Sequence, residues 1–134
     1  MDCIFCKIAN HDIPSRKVYE DADFIAILDM APAAKGHTLV IPKQHHNDFF
    51  DMTAEEAAQA MQRAKKVAEL LQEKLHPDGM NLLQNNGTVA GQTVLHYHIH
   101  IVPRYLSDPG PINWTPDPED PKVLDEVLTQ LTAS

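Results

Sequence analysis

The stretch that decides the fold is Leu95-His96-Tyr97-His98-Ile99-His100-Ile101-Val102. In a strand, residues two apart share a face, so His96, His98 and His100 line one side. Tyr97, Ile99 and Ile101 then line the other and are expected in the core. A lone histidine on such a strand is ordinarily a satisfied core residue. Three in strict alternation each need a hydrogen-bond partner or water, so the row reads as a site. At a rise of about 3.3 Å per residue, adjacent rings stand about 6.6 Å apart and the outer two about 13 Å. Two neighbours can chelate one metal as His-x-His. Three around one ion would have to reach awkwardly, so separate tasks at the two ends are expected. A neutral imidazole is also a competent nucleophile or general base near pH 7.

Immediately upstream lie the turn-rich Asn85-Asn86-Gly87 and the run Gly91-Gln92-Thr93-Val94. Glycine lets the main chain approach a ligand closely, and exposed N–H groups there form an anion nest. Beside three aligned imidazoles, that loop reads as a phosphate cradle. The chain carries 11 Lys+Arg against 19 Asp+Glu, a net charge of −8. An anion is therefore held by local dipoles and imidazoles, not by long-range attraction.

Further out, Phe24 to Leu28 is a buried-strand run ending at Asp29, and His37 to Ile41 is a second, closed by Pro42. Met80 to Gln84 is a third, and the histidine strand is expected over Val94 to Val102. The first three are close enough for an antiparallel meander. Between them, residues 53–75 form the clearest helix, about 34 Å long. Thr53 and Glu56 make a capping box, and Ala57, Met61, Ala64, Ala68, Leu71 and Leu75 make one apolar stripe. That stripe is expected to pack in the core or at a dimer contact. Pro77 and Gly79 stop the helix. Helices intrude too seldom for a βαβ series, so the fold class is α+β: an antiparallel sheet with one long and one short helix.

The short helix lies at the C-terminus. Asp120 caps it, Pro121 opens it, and Leu124, Val127, Leu128 and Leu131 form an apolar face expected to dock on the body. Six of the ten prolines fall between Pro103 and Pro121, which makes 103–134 a proline-rich arm ending in that helix. Trp114, within the arm, is read as a surface anchor. The whole of 1–134 is expected to be one domain.

Composition narrows the function. With 43% hydrophobic and 22% charged residues, the chain has the balance of a soluble globule. Its acidity argues against a nucleic-acid partner, which calls for a basic stripe. No apolar run approaches the ~20 residues of a membrane span. Met1 to Asn10 lacks a basic stretch followed by an apolar core, so no secretory signal is expected. Two cysteines are too few for a disulfide framework, and the expected location is cytoplasmic. Cys3-x-x-Cys6 alone has three readings: inert small residues, a redox pair, or half a metal site. The redox reading wants a βαβ context, and zinc wants two more ligands.

These residues together resemble the signature of the histidine-triad (HIT) superfamily of nucleotide hydrolases and transferases. The row from His96 to Val102 and the preceding Gly91-Gln92-Thr93-Val94 carry the likeness. Asp29 and Pro32 look like that family's ribose-side loop, Gly36 to Lys43 like its central strand, and Cys3 to Ile8 like its opening segment. The likeness runs from residue 3 to about 105 and implies the HIT fold and a homodimer.

It also implies a double displacement at an α-phosphate. His98 attacks phosphorus to form a nucleotidyl-histidine, and water then releases the nucleoside monophosphate. His100, Thr93, Gln92 and Asn85 would hold non-bridging oxygens or the leaving group, with Gly91 in the phosphate loop. Asp29 would take the ribose hydroxyls, His37 would support the triad, and Phe5, Ile8, Ile27 and Met30 would form the slot for a purine base. Branches with the cysteine pair hold a structural zinc, here through Cys3, Cys6, His45 and His96. His46 competes with His45 for that role. The substrates implied are nucleoside phosphoramidates or dinucleoside polyphosphates. Two rivals stand beside this reading: a nucleotide-binding or scaffolding module with little turnover, and a catalytic metal centre built on the triad.

Overall fold

The computed structural model describes residues 3–108 and 116–133; Trp114 lies outside them. The elements in chain order are α1 (Ile4–Ala9), β1 (Lys17–Glu20), β2 (Phe24–Leu28), β3 (Thr38–Pro42), α2 (Ala54–Leu75), β4 (Gly79–Leu83), β5 (Ile99–Arg104) and α3 (Pro121–Thr132). Short 3₁₀ turns occupy Phe49–Asp51 and Thr88–Ala90. The five strands form one antiparallel sheet in the order β1-β2-β3-β5-β4, so the fold class is α+β as the sequence indicates.

The sheet separates two cores. Phe24, Ala26, Val40, Tyr97, Ile99 and Ile101 pack against Ala60, Ala64, Val67 and Leu71 of α2. On the other face, Ile25, Ile27, Leu39 and Ile41 pack against Phe5 and Ile8 of α1. His100 stands opposite Leu39 in the β3–β5 register, which puts its ring on the α1 side. The alternation therefore works as expected: Tyr97, Ile99 and Ile101 enter the α2 core, and the imidazoles face away from it.

α2 starts where the capping box predicts. Glu56 N–H donates to Thr53 Oγ1 at 3.1 Å, and Thr53 N–H donates to Glu56 Oε1 at 2.9 Å. Its buried line is Ala60, Ala64, Val67 and Leu71, not the full expected stripe. Ala57 is only half-buried and Met61 is 53% exposed, because the expected stripe runs along one edge of the true contact face and out onto the surface. Two alanines in the contact let the helix approach the sheet closely, and burying Val67 and Leu71 is worth about 1.5–3 kcal/mol each.

Four other expectations change. The three early strands do not form a meander, because β5 inserts between β3 and β4. α2, about 33 Å long, carries the chain past that position before β4 begins, leaving β4 at the sheet edge. The histidine strand begins at Ile99 rather than Val94: His96 N–H bonds Val94 O at 2.8 Å and Tyr97 N–H bonds His46 O at 2.7 Å, which takes both amides out of the ladder. β5 then continues through Pro103 to Arg104, so the arm begins later than expected. Beyond Ile101 the strand has only β4 beside it, and a residue without an N–H is tolerated where one side is unpaired. Lastly, α3 forms with its Asp120 cap and Pro121 start but does not dock, and Leu124, Val127, Leu128 and Leu131 are exposed. α1 and β1 are additional elements; α1 is only six residues long and β1 only four, too short for a periodic signal.

Candidate active site and metal cluster

The hydrogen bonds fix the tautomers of the site imidazoles. His98 is nearly buried, and its Nδ1–H donates to the carbonyl of His96 at 2.7 Å. Its Nε2 is left with a free lone pair. The edge of the Phe5 ring lies against it, with centroids 5.0 Å apart. Burial pushes the His98 imidazole below its ordinary pKa, so the ring is neutral and nucleophilic at pH 7.

His100 is set by a chain of donors. Ala33 N–H donates to His37 Nδ1 at 3.0 Å, so the proton of His37 resides on Nε2. That Nε2–H points at His100 Nδ1, also at 3.0 Å, which leaves the His100 proton on Nε2 as a free donor. Asp29 Oδ2 lies 3.5 Å from His37 Nε2, while Ala31 N–H bonds Asp29 Oδ1 at 2.8 Å. Burial, reinforced by His98 and His37, pushes His100 down to about 4, and burial also lowers His37. Asp29, His37 and His100 could be taken for a metal triad on proximity. The Ala33 amide argues otherwise, because a His37 binding metal through Nε2 would need its proton on Nδ1, where an N–H donor already sits.

The second cluster joins Cys3, Cys6, His45 and His96, whose ligand atoms lie within 4.8 Å of one another. Cys3 Sγ is 3.2 Å and Cys6 Sγ 3.6 Å from His96 Nδ1, and Cys6 Sγ is 3.3 Å from His45 Nδ1. His96 Nε2–H donates to Pro42 O at 2.8 Å, and His45 Nε2–H to Asn47 Oδ1 at 2.8 Å. Both rings thus turn Nδ1 lone pairs toward two thiols. In a tetrahedral zinc site with the usual Zn–S and Zn–N lengths, sulfur and nitrogen stand about 3.5 Å apart. The residues fit the group. His46 does not compete, because its Nδ1 bonds Asp51 O at 3.2 Å and its Nε2 lies 3.1 Å from Glu56 Oε2.

The remaining expected residues are distributed more widely. Ile8, Ile27 and Met30 line a cleft of about 420 Å³ together with Pro14, Ser15, Arg16 and Leu28. Met30 is 90% exposed at its rim, and Phe5 stands behind, among the buried residues, rather than in it. Gln92 is buried and holds the loop: its Oε1 accepts from Gly87 N–H at 2.8 Å, and its Nε2 donates to Asn47 O at 2.6 Å and Val94 O at 3.0 Å. Gly91 has a φ of +101°, and a Cβ there would meet Asn85 Nδ2 at 3.4 Å. Thr93 is exposed and lines a separate cleft beside Cys3, His45 and Asn47. Arg16, Pro14 and Ser15 escaped the sequence reading because an irregular loop carries no periodic signal. Asn47, which orients His45 and receives Gln92, carried none either.

A family model described as HIT domain matches residues 10–106. A Bacillus subtilis protein, Protein hit, is 51% identical over 109 residues, covering 81% of this chain and 75% of that one. The Schizosaccharomyces pombe adenosine 5'-monophosphoramidase hnt1 is 41% identical over 133 residues, covering 96% of this chain and 97% of that one. Among solved structures, a Zn-bound histidine triad family protein from Mycobacterium smegmatis superposes with a TM-score of 0.79 at 41% identity, covering 98% and 96% of the two chains.

Proposed function

The chain belongs to the HIT family, and from that premise we propose that it hydrolyses nucleotides at the α-phosphate through a covalent nucleotidyl-histidine on His98. The observation that carries the reading is the His98 tautomer: Nδ1 is held by a buried carbonyl, and Nε2 is left to attack. A bond forms between Nε2 and phosphorus as the bond from phosphorus to the leaving group breaks. Water then cleaves the phosphorus–Nε2 bond and frees the nucleoside monophosphate. Dividing one difficult displacement into two is the advantage of the covalent route.

The other residues position the substrate. His100 offers its Nε2–H to a non-bridging oxygen, with Asn85 and the Gly91 turn around the phosphate. Gln92 contributes by shaping that loop, and Thr93 by its hydroxyl on the leaving-group side. Asp29 takes the ribose hydroxyls, and the cleft of Ile8, Ile27 and Met30 takes the purine, with Phe5 backing the nucleophile. Phosphoramidates are the favoured substrates over dinucleoside polyphosphates, since the fission yeast relative that matches nearly the whole chain is named as an adenosine 5'-monophosphoramidase.

Cys3, Cys6, His45 and His96 hold a structural zinc in this reading, supported by the four converging donors and by the zinc-bound mycobacterial neighbour. Such an ion would cross-link α1 to the segment before β5, and with four protein ligands it has no open position for chemistry. Free thiols kept as ligands persist most readily in a reducing compartment, which favours a cytoplasmic location. No described helix is long and apolar enough to cross a membrane. The acidic chain takes a small anionic substrate rather than a nucleic acid, and it works as a homodimer through the exposed apolar face of α2 and β4.

The decisive experiment is His98→Ala, assayed on adenosine phosphoramidate and diadenosine polyphosphates at equal concentration. Turnover is expected to vanish while nucleoside monophosphate still binds. A variant that retained the wild-type rate would overturn the mechanism. A wild-type protein that bound purine nucleotides and released no product from any of these substrates would favour the binding-module alternative.

A further inference from the structure

His96 faces two ways. Its ring is anchored at both nitrogens, with Nε2–H on Pro42 O at the end of β3 and Nδ1 among the thiols of Cys3 and Cys6. Its main-chain carbonyl accepts the Nδ1–H of His98 at 2.7 Å. The side chain is fully buried, so the ring has little room to move without moving the peptide that carries that carbonyl.

Two further links join the same parts. Tyr97 N–H bonds His46 O at 2.7 Å, and His46 adjoins His45, another donor of the cluster. Phe5 lies in α1 between Cys3 and Cys6, and its ring meets both His96 and His98 edge-on, with centroids 5.8 and 5.0 Å apart. The peptide before the nucleophile, the loop beside it and the ring against it are therefore all tied to the four-donor cluster.

We propose that the Cys3–Cys6–His45–His96 cluster is a positioning device for the nucleophile, through the carbonyl of His96 and the ring of Phe5, so that metal loading controls nucleotidyl transfer to His98. The inference rests on the reading of His98 as nucleophile. With the four donors drawn together, the His96 carbonyl is fixed and His98 keeps its proton on Nδ1 and its lone pair on Nε2. With the donors released, the loop from His45 to Asn47 and the start of α1 lose their shared anchor. His98 can then turn away or take the other tautomer, in which Nε2 carries the proton and cannot attack.

The test compares full-length zinc-loaded protein, chelator-treated protein and the Cys3→Ser/Cys6→Ser variant, each checked for fold by circular dichroism. Three readouts are taken: covalent nucleotidyl-protein formed in a single turnover, by intact mass; the dissociation constant for nucleoside monophosphate; and the imidazole ¹H–¹⁵N correlations of His98, which report its tautomer. Metal loss is expected to slow covalent labelling by about 100-fold, the cost of misplacing a reacting group by an ångström or so. The dissociation constant should change little, and the His98 Nδ1–H correlation should weaken. Zinc should restore all of this to the chelated wild type and not to the variant. Metal-free protein that keeps its fold, its labelling rate and its His98 correlation would overturn the proposal. So would a loss of labelling matched by an equal loss of nucleotide affinity, which marks a merely structural site. His98→Ala in loaded protein tests the nucleophile separately: turnover surviving there sinks the reading beneath this one.

Discussion

His37 Nε2 lies 3.0 Å from His100 Nδ1, and Ala33 N–H occupies the other nitrogen of His37. A backbone amide can only donate, so the direction of the whole chain follows from that one contact. The proton is passed outward and ends on His100 Nε2, where a phosphate oxygen can use it. In the proposed mechanism His37 touches no substrate and works by orienting His100.

His37→Ala should therefore lower kcat by about 100-fold, the scale of a catalytic group set loose from its geometry. KM should change far less, because ribose and base contacts remain. His37→Gln, whose amide can still donate toward His100, is expected to recover part of the rate. Steady-state kinetics of the two variants decide it: an unchanged kcat in His37→Ala would show that His100 needs no orienter.

Much of this site was legible because alternation has only one meaning in a strand. The order His96-Tyr97-His98-Ile99-His100 fixes which rings share a face whether or not the first three residues pair in a ladder, and they do not. The cysteine pair and His45 were legible only through resemblance, since nothing local ties residues 3 and 96 together. Strand order was not legible, because the insertion of β5 depends on where a helix about 33 Å long delivers the chain. The apolar face of α3 is legible as a face but its exposure is not: periodicity says which side is apolar and not what covers it.

Acid stability follows from the burial of these rings. His37 and His100 are both lowered by burial, His100 to about 4, against about 6.5 for an unfolded histidine. Above pH 6.5 neither state binds the proton, and the folded form keeps its full stability. As pH falls from about 6.5 toward about 4, the unfolded chain takes up protons that folded His100 refuses, so stability is lost across that window. Urea midpoints measured from pH 7.5 to 4 should fall in the wild type and fall less steeply in His100→Gln. Identical slopes would mean that His100 titrates in the folded protein as it does in water.

Gly36 joins the site to the frame. Its φ is +90°, and a Cβ there would stand 2.5 Å from Leu75 Cδ1 and 3.3 Å from Pro103 Cγ. Leu75 closes α2 and its half-buried side chain would have to turn aside, while Pro103 lies in β5 with a rigid ring that cannot. Gly36→Ala combines a left-handed backbone with overpacking and should cost about 2–4 kcal/mol of stability. Because His37 follows directly, kcat should drop with it. A denaturation midpoint within error of the wild type would show that the turn relaxes at no cost.

Met61 and Leu82 are 53% and 43% exposed, and with Ala58, Gln62, Lys65 and Ala68 they line a largely apolar cleft on α2 beside β4. β4 is the edge of the sheet, with β5 on one side only. A contiguous apolar face next to an unpaired strand edge is a surface that soluble chains ordinarily cover. If two copies cover it for each other, about a two-fold axis, Met61 of each lies close to the centre of the contact. Met61→Glu then places two like charges in an apolar interface and should convert a dimer to a monomer at micromolar concentration. Sedimentation velocity on the wild type and this variant is the measurement. A wild type already monomeric at that concentration would leave the face to another partner, and a variant still dimeric would move the interface elsewhere on the chain.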